Sequence, residues 1–360
     1  MHLCALIRKM EKKLVKVAIW GFGAMGSGMA RMILNKKGFD IVGVSDMYDG
    51  YVGKSIFEIL KLDNSQNHNV LIEKNIERIL VEEQPNLVLL ATDSFTRAAF
   101  DKIKFVVEHK CNVISTAEEM AYPQAKEPEL SKEMNRLAKA NGVSILGTGV
   151  NPGMMMDLLA ICISGVMEDV KDMEISRVNS LSPFGPTVME EQGVGLTLKD
   201  FNEKLENNEL SGHVGFVEST YMIADALGLE VKDFEQSMNP IVTNVDRKSP
   251  YGFAKAGDVA GVDMRSFAIL SNETKINMVH PQQIEPELEG IHTGDYIKIK
   301  GSPEINLANV PEVEGGIGTI AICVNMIPHV INAKPGLKTM IDLPVPRAIM
   351  GDVRNLIDEE

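Results

Sequence analysis

Residues 15–26 read Val-Lys-Val-Ala-Ile-Trp-Gly-Phe-Gly-Ala-Met-Gly, and an acid, Asp46, stands twenty residues beyond the last of these glycines. An apolar run leads into a G-x-G-x-x-G turn. A stretch with Met25, Met29, Met32 and Ile33 on one helical face follows, and then a second apolar run over 41–45 that ends at the acid. The glycine triplet alone is common. The order strand, glycine turn, helix, strand, acid is what a dinucleotide site requires. Gly21 permits the tight turn, Gly23 the close approach of a pyrophosphate, and Gly26 the packing of helix on strand. The phosphates are expected on the free N–H groups at the helix start, where the dipole favours anions. This makes Gly21, Phe22, Gly23, Ala24, Met25 and Gly26 the expected cofactor-binding turn; the competing reading is a glycine-rich βα turn with no ligand. Asp46 is placed to hydrogen-bond an adenosine ribose 2′-OH and to repel a 2′-phosphate, which favours NAD over NADP.

The same alternation continues to about residue 150. Strands are expected over 14–20, 41–45, 70–73, 87–91, 112–115 and 144–147, and helices over 24–36, 76–83, 97–108 and 130–141. Such alternation implies a doubly wound parallel sheet with right-handed crossovers, a Rossmann-type α/β fold. The 87–91 run is apolar throughout, as in a strand buried on both faces. Beyond Gly149 the pattern changes. An apolar helix is expected over 151–163, opened by Asn151-Pro152-Gly153, then a strand over 171–181 and a helix capped at Thr197. Another helix is expected over 214–227. Residues 234–300 hold several strand-like stretches, as in a mixed or antiparallel sheet. Three parts are therefore expected: a dinucleotide-binding domain over 1–150, with 1–12 as an extension and Met10 as an alternative start; a second α+β domain over 151–333 for substrate and dimerisation; and a tail over 334–360 packing back on the first.

Composition narrows the function. The chain has 360 residues, 44% hydrophobic and 24% charged, with a formal net charge of −14. That balance disfavours nucleic acid and anionic membranes, which call for a basic face. No run of about 18 apolar residues suggests a membrane span, and the start lacks the pattern of a signal peptide. Cys4, Cys111, Cys162 and Cys323 have neither C-x-x-C nor zinc-ligand spacing, so reduced thiols in the cytoplasm and no metal are expected.

Ligands of open α/β sheets lie outside the carboxyl ends of the strands. After 87–91 comes Ala91-Thr92-Asp93-Ser94-Phe95, where Thr92 is a candidate cofactor contact and Asp93 or Ser94 a candidate helix cap. After 112–115 comes Ser115-Thr116-Ala117-Glu118-Glu119-Met120-Ala121-Tyr122-Pro123. Glu118 and Glu119 stand where a nicotinamide ring belongs. A carboxylate desolvated there has a raised pKa and suits a group that holds an ammonium and accepts its proton. The competing reading is a solvated acidic loop or first-turn acids of a helix. After 144–147 comes Gly147-Thr148-Gly149-Val150-Asn151-Pro152-Gly153, in which Asn151 and a free helix start are candidate cofactor contacts. In the second domain His213, between glycines at a helix start, is a candidate substrate contact, or else a cap or partial-core residue. His280 and His329 look structural. Met154, Met155 and Met156 are core fillers or cleft lining, and Arg177, Arg247 and Lys255 are equal candidates to hold a substrate carboxylate.

Taken together, the fingerprint at 20–28, the Thr-Ala-Glu-Glu-Met-Ala-Tyr-Pro segment, the Gly-Thr-Gly-Val-Asn-Pro-Gly turn, the 212–219 helix start and the tail Gly336-Leu337-Lys338-Thr339-Met340 resemble the 2,4-diaminopentanoate dehydrogenase family. This is a group of amine dehydrogenases related to dihydrodipicolinate reductase. The resemblance implies an oxidoreductase, a homodimer, that uses NAD or NADP to deaminate 2,4-diaminopentanoate to 2-amino-4-oxopentanoate and ammonia, in ornithine fermentation. It implies that the acid handling the amine is Glu118 or Glu119. The paired-histidine segment of the true reductases is missing, which favours an amine over a cyclic imine. A dehydrogenase of another small amine, amino acid or aldehyde, and a nucleotide-sensing protein without chemistry, are the competing readings.

Overall fold

Seven parallel strands form the first sheet of the computed structural model, which describes residues 12–63 and 69–358. The expected extension and Cys4 fall outside the described residues, apart from Lys12 at the edge of that extension. In chain order this layer runs β1 (Val15–Trp20), α1 (Ala24–Leu34), β2 (Phe39–Ser45), α2 (Ile56–Leu60), β3 (Ile72–Glu73), α3 (Ile76–Arg78), β4 (Leu87–Leu90), α4 (Thr96–Glu108), β5 (Asn112–Ser115), α5 (Pro128–Asn141) and β6 (Ser144–Gly147). The strand order is β15-β6-β5-β4-β1-β2-β3, with β15 (Gly336–Lys338) supplied by the tail. The order reverses between β1 and β4, and at such a reversal a crevice opens at the carboxyl ends.

Sequence explains these elements directly. The apolar run Val17-Ala18-Ile19 is fully buried, as is Leu87-Val88-Leu89. Strands buried on both faces have no polar face to alternate with. In α1 the buried residues are Gly26, Met29, Ala30 and Ile33, the spacing of one helical face. Helix α5 begins with Pro128 and stops at Gly142 in the left-handed conformation, φ 73°.

The second layer contains α6 (Leu158–Ser164), β7 (Asp169–Ser180), α7 (Pro186–Glu191), α8 (Leu198–Glu206), α9 (Phe216–Ala226), β8 (Val231–Val242), the short pair β9 (Arg247–Lys248) and β10 (Phe253–Ala254), β11 (Val259–Leu270), β12 (Lys275–Gln283), β13 (Gly294–Ser302) and β14 (Ile305–Asn309). Its six-stranded sheet is ordered β14-β13-β7-β12-β11-β8; β7 and β12 are parallel and the other pairs antiparallel. This is the mixed sheet expected for the region. One face packs on α6, α8 and α9 through Met173, Ile175, Phe201, Phe216, Ile223, Met278 and Ile297.

Two expectations change. The apolar helix starts at Leu158, not near 151, because the buried Asp157 carboxylate caps the Leu158 N–H at 2.6 Å and holds residues 151–157 as turns. The return to the first layer also begins before residue 334. Helix α10 (Gly315–Ile331) packs on α1 and β5 rather than on the second sheet, and its Cys323, Val324, Met326 and Ile327 join Ile19, Met29, Leu89 and Ile114 in one core. A helix of high apolar content is needed there to cover the sheet's second face. Ile327 is fully buried in this core. Ile327→Ala is expected to cost about 2–5 kcal/mol, seen as a lower urea midpoint with an unchanged slope.

Candidate active site

The glycine turn closes at the end of β1. Gly21 has φ 93°, and a Cβ there would stand 2.5 Å from the Ala91 carbonyl oxygen; a Cβ on Gly26 would stand 1.8 Å from the Gly21 carbonyl oxygen. Both positions therefore exclude a side chain for internal reasons. At Gly23 a Cβ would meet nothing within 4 Å. The missing side chain there leaves open room above the start of α1, at exposed Gly23 and Ala24. That helix has no side-chain cap, and its first-turn N–H groups have no intrahelical acceptor. An open cradle in front of uncapped amides fits the pyrophosphate of a dinucleotide. Asp46, at the end of β2, accepts hydrogen bonds from the N–H groups of Phe22 and Tyr48, the latter at 2.7 Å. It pins the turn and stands at the outer end of the cradle.

From the cradle a cleft of about 740 Å³ runs between the two layers, past Met25, Thr92, Thr116, Glu118 and Asn151 to Arg177 and His213. The two adjacent glutamates part company here. They open a one-turn 3-10 helix, Glu118–Ala121, directly after β5. Glu119 turns inward: its carboxylate accepts the Thr96 N–H at 2.9 Å and pairs with Lys126 at 3.2 Å. It caps α4, the role expected of Asp93 or Ser94, while Asp93 is paired with Lys102 at 2.8 Å instead. Glu118 lines the cleft, and its Oε2 is buried without a hydrogen-bond partner. Burial is the main cause that pushes its pKa up to about 6; hydrogen bonds from its own backbone and Ser94 oppose this, and the charges of Glu191 and Glu218 add to it. Behind it, fully buried Glu218 on α9 pairs with Lys126 at 3.5 Å, which ties the two layers together.

The opposite wall comes from the second sheet. Arg177, 2% exposed, is salt-bridged to Asp295 and donates to the Val313 carbonyl. Asn179 lies on the same face of β7, and Gln282 pairs with it in register on β12. His280 sits 2.7 Å from the Arg177 carbonyl oxygen through Nδ1, so Nδ1 must carry the proton. His213 packs edge-on against His280 at 4.7 Å and meets Asn151 at 3.1 Å. Burial first, and the Arg177 charge as well, push the His213 pKa down to about 3 and that of His280 well below its usual value. Both rings are neutral, and Arg177 supplies the positive charge on this wall.

Among the expected site residues, Met25, Thr92, Glu118, Asn151 and His213 line one cleft. Others do not. Arg247 is buried elsewhere, bonded to Thr243, Gln283 and Glu289, and Lys255 is exposed away from the cleft, so Arg177 alone of the three candidate cations faces it. In the turn over 149–157 the Gly153 N–H, at 2.7 Å, and the Leu158 N–H are already taken by Asp157, while residues 149–152 line the cleft. Met155 and Met156 are buried in cores rather than in the cleft wall. His280, read as structural, is also a wall residue. Asn179, Glu191, Gln192 and Gln282 line the cleft too and were not singled out by sequence. The one signal was polar Arg177 and Asn179 continuing the alternation of Met173 and Ile175 along β7. Among the described residues, no cluster of three or more His, Cys, Asp or Glu side chains is arranged to hold a metal ion, and no helix is long and apolar enough to cross a membrane.

Comparison with known proteins gives the family and the fold. Residues 154–359 match the model of the 2,4-diaminopentanoate dehydrogenase C-terminal domain. The 2,4-diaminopentanoate dehydrogenase of Acetoanaerobium sticklandii is 60% identical over 352 residues, covering 98% of this chain and 99% of the relative. An amine dehydrogenase of Streptomyces virginiae is 23% identical, covering 93% and 98%. The solved amine dehydrogenase of Mycobacterium smegmatis superposes with a TM-score of 0.83 at 26% identity, covering 94% and 98%. A myo-inositol dehydrogenase of Lactobacillus casei, solved with NAD(H) and myo-inositol, superposes at 0.56 with 12% identity over 91% and 90%, and so shares the fold.

The open space at Gly23 contrasts with Gly21 and Gly26, where a side chain would clash with the backbone. Gly23→Ala is expected to keep the thermal midpoint of the ligand-free protein. It is expected to weaken dinucleotide binding, measured by calorimetry, by roughly tenfold or more, since a methyl group intrudes where the phosphates approach.

Proposed function

This chain belongs to the 2,4-diaminopentanoate dehydrogenase family, and from that premise we propose that it catalyses the NAD(P)-dependent oxidative deamination of 2,4-diaminopentanoate, releasing 2-amino-4-oxopentanoate and ammonia. The observation that carries this reading is the buried, unpartnered carboxylate oxygen of Glu118, in the same cleft as the glycine cradle and Arg177. Gly21, Gly23 and Gly26 and the first amides of α1 would hold the pyrophosphate, and Thr92 and Asn151 would border the far half of the dinucleotide. When bound, the nicotinamide supplies the hydride acceptor. Assembly as a homodimer, which the family resemblance implies, belongs to the same reading.

The protein's own task is to hold the amino acid and to move a proton. A substrate ammonium must be deprotonated before its carbon can give up hydride. Primary ammonium groups titrate near the lysine value, about 10.4, well above Glu118. Burial narrows that gap from both sides: it raises the carboxyl and disfavours the isolated ammonium. Glu118 accepts that proton; once the proton has passed on to solvent, its restored carboxylate would stabilise the cation that hydride loss leaves at the same nitrogen, and water then adds to the carbon and ammonia leaves. Glu119 is a positioning residue, fixing the 3-10 turn to α4. Arg177, held by Asp295, meets the substrate carboxylate, and the neutral histidines beside it exclude water without adding charge. A nucleotide sensor has no use for a desolvated carboxylate beside the cradle.

Asp46 at the end of β2 favours a free 2′-OH, and Lys74, next along from β3, is paired with Asp49 at 2.6 Å. NAD is therefore the preferred cofactor in this reading. Asp46→Ser is expected to lower the ratio of kcat/KM for NAD over NADP by roughly tenfold or more, and steady-state assays with both cofactors read it directly.

Glu118→Gln is expected to reduce kcat on 2,4-diaminopentanoate by about a hundredfold or more. Wild-type kcat/KM is expected to rise with pH through an acid limb near 6, where Glu118 loses its proton. The stability effect has the opposite sense. Because the folded state holds this proton more tightly than the unfolded chain, stability falls as pH rises from 4.5 to about 6, and the full penalty applies above. Gln carries no such penalty, so the variant is expected to gain up to about 2 kcal/mol at neutral pH and none at pH 4. Thermal melts at both pH values check it; equal kcat in the two enzymes refutes the role.

A further inference from the structure

Several buried polar atoms that line the cleft have no hydrogen-bond partner. Asn179 Oδ1 and Gln192 Oε1, both acceptors, are buried without a hydrogen bond, in side chains 5% and 3% exposed. The donor Gln282 Nε2, beside Asn179 on β12, is likewise unpaired. A native fold rarely leaves such groups unmatched, because each costs about 1–3 kcal/mol. All three residues line the cleft, as does Glu191, the last residue of α7 and the neighbour of Gln192. Among the described residues no ion pair or hydrogen bond engages the Glu191 carboxylate.

We infer that Asn179, Gln192 and Glu191 form a subsite for the 2-ammonium group of the substrate, which selects diamino acids over monoamines. The inference rests on the functional reading above. A 2-amino acid carries its ammonium and carboxylate on one carbon, so the groups that receive them must be neighbours. Asn179 is two residues from Arg177 on one strand face, which places an amide acceptor beside the guanidinium. An ammonium has three donors and no acceptor; two amide oxygens and a carboxylate match that count. Gln282 Nε2, a donor, is left for the carboxylate that Arg177 receives. The reacting 4-amine lies two carbons further along and reaches across to Glu118, on the first layer. Glu118 and Glu191 lie close enough for the Glu191 charge to be felt at Glu118. The cleft thus offers two separate anionic places for two ammonium groups, and one cationic place for the carboxylate.

The test compares kcat/KM for 2,4-diaminopentanoate with that for 4-aminopentanoate, which lacks only the 2-amino group, in wild type, Glu191→Gln and Gln192→Met. Glu191→Gln changes an exposed side chain and keeps its shape; Gln192→Met keeps the buried volume. The ratio of the two specificity constants is the readout, because loss of general integrity moves both substrates together. A fall in that ratio of roughly tenfold or more in either variant supports the subsite, the size expected for removing one partner of a buried charged group. A smaller fall in both overturns it. Wild-type enzyme that fails to turn over 2,4-diaminopentanoate refutes the functional reading, and the subsite with it; wild-type turnover with an unmoved ratio refutes the subsite alone.

Discussion

Burial of a parallel sheet on both faces is the constraint from which the rest of this structure follows. The central strands of the first layer are buried and mostly apolar in their middles, so neither face there is available for polar chemistry. Helices α4 and α5 cover one face through Ile103, Val106, Met134 and Leu137. The other face needs α1 and also α10, a helix that the chain reaches only after building the whole second layer. The polar groups are consequently forced to the carboxyl edge of the sheet, and the return of α10 clamps the second layer over that edge. The cleft is the gap this clamping leaves.

Within the cleft, electrostatics are set by which charges have partners. Arg177 is deeply buried yet salt-bridged to Asp295, an arrangement that would be costly to leave half-made. Lys126 is shared by Glu119 and Glu218 behind the 3-10 turn that follows β5. Glu118 has only a weak hold on its charge, through its own backbone and Ser94, and keeps an open oxygen. The molecule thereby spends its pairing on the framework and leaves one carboxylate to a ligand. The adjacent glutamates show how finely this is divided: a single 3-10 turn rotates one into α4 and the other into the cleft.

Much of this was legible beforehand. Glycine spacing, the apolar run at 87–90 and the acid at 46 each express local physics: a positive φ, a strand without a polar face, a carboxylate that pins the turn beside it. The mixed second sheet was legible from alternation, and the tail's return from its short apolar stretches. The start of the helix at 158 was not, because Asp157 caps it only by being buried against Ser219 of α9, 2.9 Å away and 62 residues on. The place of α10 was not legible either. Its hydrophobicity says that it is covered on most sides, but not by what.

Sequence by itself determined that a nucleotide cradle, a pair of acids after the fifth strand and a set of candidate cations exist, since each rests on neighbours within a few residues. Only the tertiary structure decided that Glu118 rather than Glu119 faces the cleft, that Arg177 rather than Arg247 or Lys255 stands opposite, and that His280, Asn179 and Gln192 join them. Those choices depend on desolvation and on partners from remote strands. Desolvation is a property of the packed whole, and no local pattern of residues encodes it.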